Sequence, residues 1–275
     1  MDTPNIDRLV EEGVSFTNAY CTAPSCVPSR ASLFTGFYPH NSSVLSNGDE
    51  WSPTWVEMLA DSGYQCVNIG KMHTVPADVN GGFHERFIVE NKDRGLKLDN
   101  HEQCFYDEWD KYLAHEGVEK PSREGYKQLP EYDEALGAFK FPIAEKYHSD
   151  VFVGNMASWW LRRREATAPL FLEIGFPGPH PPYDPTERFI DLYQDNDIPV
   201  PEVSEEEIAK QPPPQHIYRD EMINPQAPYV PERAGVGHDA VQWVENPTRE
   251  QLKRLRAYYF ANVSMIDEKI GQIME

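Results

Sequence analysis

Five side chains in this sequence are of types that can do chemistry together. Cys26 is a potential nucleophile and stands four residues before Arg30. Lys71 and His73 are separated by one residue, and His180 sits in a proline-rich loop. A thiol ionises more readily at a helix N-terminus beside an arginine. Arginine, lysine and histidine gathered in one place bind an anion and stabilise the negative charge that develops as it reacts. These cations stand out because the 275-residue chain carries 45 acidic against 25 basic side chains, a net charge of −20. The chemistry suited to them is nucleophilic attack on an anion.

Such residues need a frame. Thr3 as N-cap, Pro4 as first helical residue and Gly13 as stop predict a helix with an apolar stripe of Ile6, Leu9 and Val10, followed by an extended Val14-Ser15-Phe16. A second helix begins near Pro28 and ends at Gly36, so its free N–H groups would point at the same anion. A third spans about 53–61, with Ser52 as N-cap and Gly63 as stop. Tyr64 to Ile69 reads as a buried strand that delivers Lys71 and His73, and Leu170 to Phe176 as a strand that delivers His180. A helix over 150–165 carries Phe152, Met156, Trp159 and Trp160, the tryptophan pair expected in the core. Thr248-x-x-Gln251 forms a capping box that opens a long final helix with Leu252, Leu255, Tyr259, Ile266, Ile270 and Ile273. Alternating strands and helices imply an α/β fold with a mostly parallel sheet flanked by helices, and chemistry gathers at the carboxyl ends of such strands. Residues 74–149 read as an irregular excursion carrying substrate loops, and 199–231, with eight of the 24 prolines, as an irregular surface crossing.

Composition excludes other classes. Hydrophobic residues at 40% rule out a disordered chain, and a pI near 4.8 argues against a nucleic-acid partner. No apolar run reaches the ~20 residues of a membrane helix, and Met1-Asp2-Thr3-Pro4 lacks the features of a signal peptide. Four cysteines in so long a chain form neither a disulfide scaffold nor a zinc knuckle, so Cys21, Cys66 and Cys104 are expected as small core residues. His84, His101, His148, His216 and His238 are expected in structural roles.

The run Cys26-Val27-Pro28-Ser29-Arg30-Ala31-Ser32-Leu33-Phe34-Thr35-Gly36 resembles the signature of the type I sulfatases of the alkaline phosphatase superfamily. Four fixed residues at such spacing arise by chance in on the order of one chain per thousand. Thr3-Pro4-Asn5-Ile6-Asp7-Arg8-Leu9, Val14 to Tyr20, Gly70-Lys71-Met72-His73, Pro179-His180-Pro181-Pro182-Tyr183 and Ile266-Asp267-Glu268-Lys269-Ile270-Gly271 are similar to further blocks of that family. The resemblance implies a single catalytic domain over 1–275 and cleavage of a small-molecule or glycan sulfate ester. It implies that a maturation enzyme oxidises Cys26 to formylglycine, with Ser29 in its recognition sequence. The aldehyde hydrate would then offer one hydroxyl to attack sulfur and another to expel sulfate. Arg30 would hold the hydrate, Lys71 and His180 would bind sulfate and assist the leaving oxygen, and His73 would aid elimination.

The family also binds a divalent cation, usually calcium with magnesium as the alternative, and the modified Cys26 would be one ligand. Its carboxylate ligands come from an Asp-Asp pair before the Thr-Pro-Asn block and an Asp-Asn or Asp-His pair after the long helix. This sequence begins after the first and stops before the second, so the resemblance implies a fold incomplete at both ends and little activity for these 275 residues alone. Asp99-Asn100 matches the second pair only locally and is expected to be a decoy. A phosphonate monoester or phosphodiester hydrolase of the same superfamily and a non-catalytic binding remnant are the alternatives. The compartment is open: cytoplasmic for a complete chain, periplasmic or secreted for one lacking its N-terminus.

Overall fold

The computed structural model describes residues 1–51, 54–93, 96–97, 104–194, 197–202, 204–213, 215–216 and 247–275. They fall into two compact units. The larger comprises 3–120, 143–178 and 265–275, and the other 1–2, 121–142 and 179–264.

The larger unit is built on a parallel sheet. β1 (Gln65–Gly70) is central, between β2 (Glu85–Ile88) and β5 (Leu170–Gly175). Side chains alternate across it. Cys66 joins Val27, Ala31 and Phe34 of α2 (Cys26–Thr35), Val56 of α4 (Val56–Asp61) and the loop residues Met72 and Phe83, the short α3 (Pro39–Ser42) lying between the two helices in sequence. Val67 and Ile69 join Trp109 and Leu113 of α5 (Glu108–His115) and Val153, Ala157 and Trp160 of α8 (Ser149–Arg163). With both faces covered, β1 is buried from Cys66 to Gly70, as central strands of parallel sheets are. The α/β class, with helices flanking a parallel sheet, is as the sequence indicates.

The stretch 74–149 is less irregular than its composition suggests. It contributes β2 to the main sheet, a small antiparallel ladder of β3 (Leu96–Lys97) and β4 (Cys104–Phe105), and α5. α5 opens with a reciprocal cap in which Asp107 accepts from the Asp110 amide at 2.9 Å and donates its own amide to Asp110 at 3.1 Å. Trp109, 1% exposed, anchors it to the core and donates to the Tyr147 carbonyl at 2.9 Å. The expected third helix starts later, at Val56, and Ser52 and Pro53 lie outside the described residues.

α1 (Pro4–Glu12) has the predicted bounds but not the predicted packing. None of its residues is buried, and Leu9 and Val10 are about half exposed. Val14 to Phe16 is exposed and joins no ladder. Nor does Thr3 cap the helix: its hydroxyl donates to the Asp7 carboxylate at 3.2 Å. The cap is Asp267, in the helix Arg249–Met274. It accepts from the Ile6 amide at 2.7 Å, the Asn5 amide at 3.1 Å and the Asn5 side chain at 2.8 Å. Gly271, one turn on, lets Asn5 approach, since a Cβ there would lie 2.4 Å from Asn5 Oδ1. Two family-like blocks far apart in sequence are thus one joint. Asp267→Ala is expected to cost about 2 kcal/mol in urea unfolding, because it orphans two partly buried helix amides, and Thr3→Ala much less. Equal losses would show that Asp267 is not the cap.

The other unit is mostly helical: α6 (Arg123–Lys127), α7 (Tyr132–Ala135), α9 (Glu187–Asp191), α10 (Glu205–Ala209) and the first part of the long helix. Tyr126 stacks on Phe139 with ring centroids 5.1 Å apart and donates to Asp184 at 2.9 Å. The capping box forms as read, Gln251 N–H to Thr248 Oγ1 at 3.1 Å and Thr248 N–H to Gln251 Oε1 at 2.8 Å. Of the proline-rich crossing, 217–231 lies outside the described residues. Among the described residues no helix is long and apolar enough to cross a membrane.

Candidate active site

Cys26 is the first residue of α2, half-buried, and Arg30 follows one turn later on the same face. The helix entry is shaped by Asn47, whose Oδ1 accepts from the Val27 amide and the Ser25 hydroxyl, both at 3.0 Å. Here the expectation of several free amides fails. The Val27 amide goes to Asn47, Pro28 has none, and the Ser29 amide returns to the Ser25 carbonyl at 2.9 Å. What the helix start offers an anion is its dipole, its first amide (that of Cys26) and Arg30. At the other end Gly36 adopts φ 75, the left-handed stop the sequence indicates.

Arg30 ties this helix to the sheet. Its guanidinium donates to the Lys71 carbonyl at 2.8 Å, immediately after β1. The crossing is tight: the Lys71 amide donates to Gly175 at 2.7 Å, and a Cβ on Gly70 would lie 2.0 Å from the Gly175 carbonyl oxygen. Gly70 (φ 106) and Gly175, paired in register, are therefore glycines because two backbones meet there. Lys71 is 5% exposed. His73 adopts φ 58, a left-handed conformation rare for a side-chain-bearing residue. Its carbonyl accepts from Trp51 Nε1 at 3.4 Å.

Cys26, Arg30, Lys71 and His73 thus belong to one unit and are joined through the Arg30–Lys71 bond. His180 belongs to the other. It follows β5 in the chain by five residues, and its Nδ1 lies 2.7 Å from the Pro181 carbonyl. The turn before it is pinned by Asp150, which accepts from the Gly178 amide at 2.8 Å.

Beneath the site lies a polar row that the motifs did not reveal. Asn68 is in register with Arg86 on one side and Glu173 on the other. It donates to Glu173 and accepts from Arg86 Nε at 2.9 Å. Burial pushes the Glu173 carboxyl up to about 7, against the pull of the Asn68 hydrogen bond and the Arg30 and Arg86 charges. A signal existed, because a glutamate inside Leu-Phe-Leu-Glu-Ile and an asparagine inside Cys-Val-Asn-Ile are polar residues in strands that read as buried.

The remaining expectations divide. Cys66 is buried, and burial raises its thiol, but Cys21 and Cys104 are exposed rather than in the core. Trp160 is buried whereas Trp159 is 44% exposed, its ring beneath Arg163. His84 is structural, its Nδ1 accepting from the Cys66 amide at 3.0 Å, and His148 caps α8. Asp99, Asn100, His101 and His238 lie outside the described residues. Among the described residues no three histidines, cysteines, aspartates or glutamates converge as a cation site. The described residues by themselves thus offer no donor set for the divalent cation the resemblance implies, and no step below passes through one.

The profile of the sulfatase family matches residues 1–275. The chain is 29% identical over 285 residues to an arylsulfatase of Clostridium perfringens, covering 100% of this chain and 54% of that one. It is 28% identical over 288 residues to a choline-sulfatase of Rhizobium meliloti, covering 100% and 49%. Its fold resembles that of a phosphonate monoester hydrolase of Agrobacterium radiobacter, with TM-score 0.63 and 21% identity over 99% of this chain and 53% of the other. The chain spans about half the length of the relatives it matches. With its full length matched and the Cys26 motif opening α2 against the end of β1, the chain belongs to the sulfatase family, in the alkaline phosphatase superfamily.

Proposed function

We propose that the protein of which these residues are part hydrolyses a sulfuric ester, using formylglycine made from Cys26. The observation that carries this is the Arg30 to Lys71 hydrogen bond, which joins the cysteine helix to the loop bearing Lys71 and His73. Cys26 is partly exposed at the start of a helix, within reach of a maturation enzyme. As an aldehyde hydrate, the residue would supply a hydroxyl nucleophile and a second hydroxyl for release of sulfate. Arg30 orients that group and opposes the charge growing on it. Lys71, held by its backbone against β5, places its ammonium beside the nonbridging oxygens, and His180 neutralises the departing oxygen. His73 accepts the proton of the second hydroxyl. The ester is a small-molecule or glycan sulfate, in keeping with the arylsulfatase and choline-sulfatase relatives.

A second reading, hydrolysis of phosphonate monoesters or phosphodiesters, is favoured by the likeness of fold to a phosphonate monoester hydrolase. The full-length gene product, co-expressed with a formylglycine-generating enzyme, separates them. An aryl sulfate should be turned over faster than an aryl phosphonate monoester or a diester, and the reverse order would overturn the sulfatase reading. Residues 1–275 alone should show negligible turnover, since the described residues assemble no cation site. Binding of sulfate esters by the full-length protein without any turnover would favour a non-catalytic role.

A further inference from the structure

We propose that Glu90 is the positioning residue of the Lys71–His73 loop, an inference that rests on the ester-hydrolase reading above. Its Oε1 accepts from the Met72 amide at 3.1 Å and the His73 amide at 2.9 Å, and its Oε2 from the His73 amide at 3.0 Å. The left-handed backbone of His73 persists only where its surroundings over-determine it, and this carboxylate supplies that hold. Glu90 is itself fixed from two sides. Its amide donates to Asp107 Oδ2 at 3.0 Å, and Arg86 NH2 stands 3.9 Å from Oε1. Arg86 extends the grip along the loop, donating to Thr74 Oγ1 at 3.2 Å, to the Ala77 carbonyl at 3.1 Å and to the Val79 carbonyl. The end of β2 therefore clamps the connection that leads from β1 into it.

The charge of Glu90 argues for a geometric role. A carboxylate 2% exposed, below side chains meant to receive an anion, opposes that anion electrostatically and is costly to bury. Its gain lies in two acceptor oxygens, aimed together at consecutive amides. Glu90 touches backbone only in these bonds, so it acts on the ester through the side chains it presents.

The test uses the full-length, matured protein with Glu90→Gln and Glu90→Leu. Glutamine keeps one acceptor oxygen and leucine keeps only volume. The glutamine variant should hold kcat on an aryl sulfate within about threefold of the parent, and the leucine variant should lose about 100-fold in kcat with little change in KM. The His73 amide, protected from hydrogen exchange in the parent, should exchange freely in the leucine variant. Equal losses in both variants, or full kcat with an unprotected His73 amide, would overturn the proposal. If leucine prevents folding, Glu90→Asp decides: a shortened carboxylate should lower kcat at an unchanged thermal midpoint, and unchanged kcat would refute positioning. A parent inactive on sulfate esters would count against the ester-hydrolase reading instead. The His73 imidazole resonance then decides for Glu90, shifting in the variant if Glu90 presents the ring and staying in place if it does not.

Discussion

Cys26→Ala in the full-length protein is expected to reduce aryl sulfate turnover by about 10⁴-fold or more, with thermal stability nearly unchanged. Both halves follow from where the side chain lies. α2 packs through Val27, Ala31 and Phe34, which are buried, whereas Cys26 opens the helix half-buried and outside that cluster. Deleting its sulfur leaves no core cavity. Cys66 makes the contrast, since it is fully buried where β1 faces α4 and its loss would be felt in folding. A nucleophile that carries the covalent step leaves only binding and charge stabilisation when removed. Intact mass after maturation should show an aldehyde at residue 26 in place of the thiol. A protein that turns over sulfate esters with only thiol at that position, or an alanine variant within tenfold of the parent, would sink the mechanism.

The candidate residues are easier to pick out in the sequence than the frame around them, and the reason is physical. Cys26, Arg30, Lys71 and His73 are defined by residue type and local spacing, which a sequence displays directly. α2 and β1 were legible because glycines end them where the backbone must turn or touch, at Gly36 and Gly70, and β5 because an apolar run stops at a proline-rich loop, though the strand ends at Gly175 and not Phe176. β2 was not, because Glu85-Arg86-Phe87-Ile88 carries two charges and becomes a strand by pairing with β1. The stripe on α1 misled for the converse reason. Ile6, Leu9 and Val10 have helical spacing, but no described element covers that face, and the helix is held by Asp267 instead. Glu90, Arg86 and Glu173 were invisible as a set, since they meet only once three strands lie side by side. Tertiary pairing, not local propensity, writes that part of the molecule.

Stability should fall as pH rises from about 4.5 to 7, and Glu173→Gln should abolish most of that fall. In the unfolded chain this carboxyl titrates at its ordinary 4.5, while in the folded protein burial pushes it up to about 7. Between those values the folded state keeps a proton that the unfolded chain has released. Stability is therefore complete below 4.5, declines through the window and is level above it, the reverse of a salt-bridged carboxylate. The amplitude is on the order of 3 kcal/mol. Asp107, raised from 3.8 to about 6 chiefly by burial, contributes in the same direction over a lower range. Glutamine at 173 keeps an oxygen for the Asn68 amide but never ionises. In urea unfolding the variant should match the parent near pH 4.5 and exceed it at pH 8. A parent that gains stability over the variant on the way from pH 5 to 7 would contradict this sign. Arg30 supplies the link to chemistry, because its charge is among those that hold the Glu173 carboxyl down. Removing it, as in Arg30→Ala, should carry the decline above pH 7, so that the same guanidinium proposed to serve the anion also sets how the sheet beneath responds to pH.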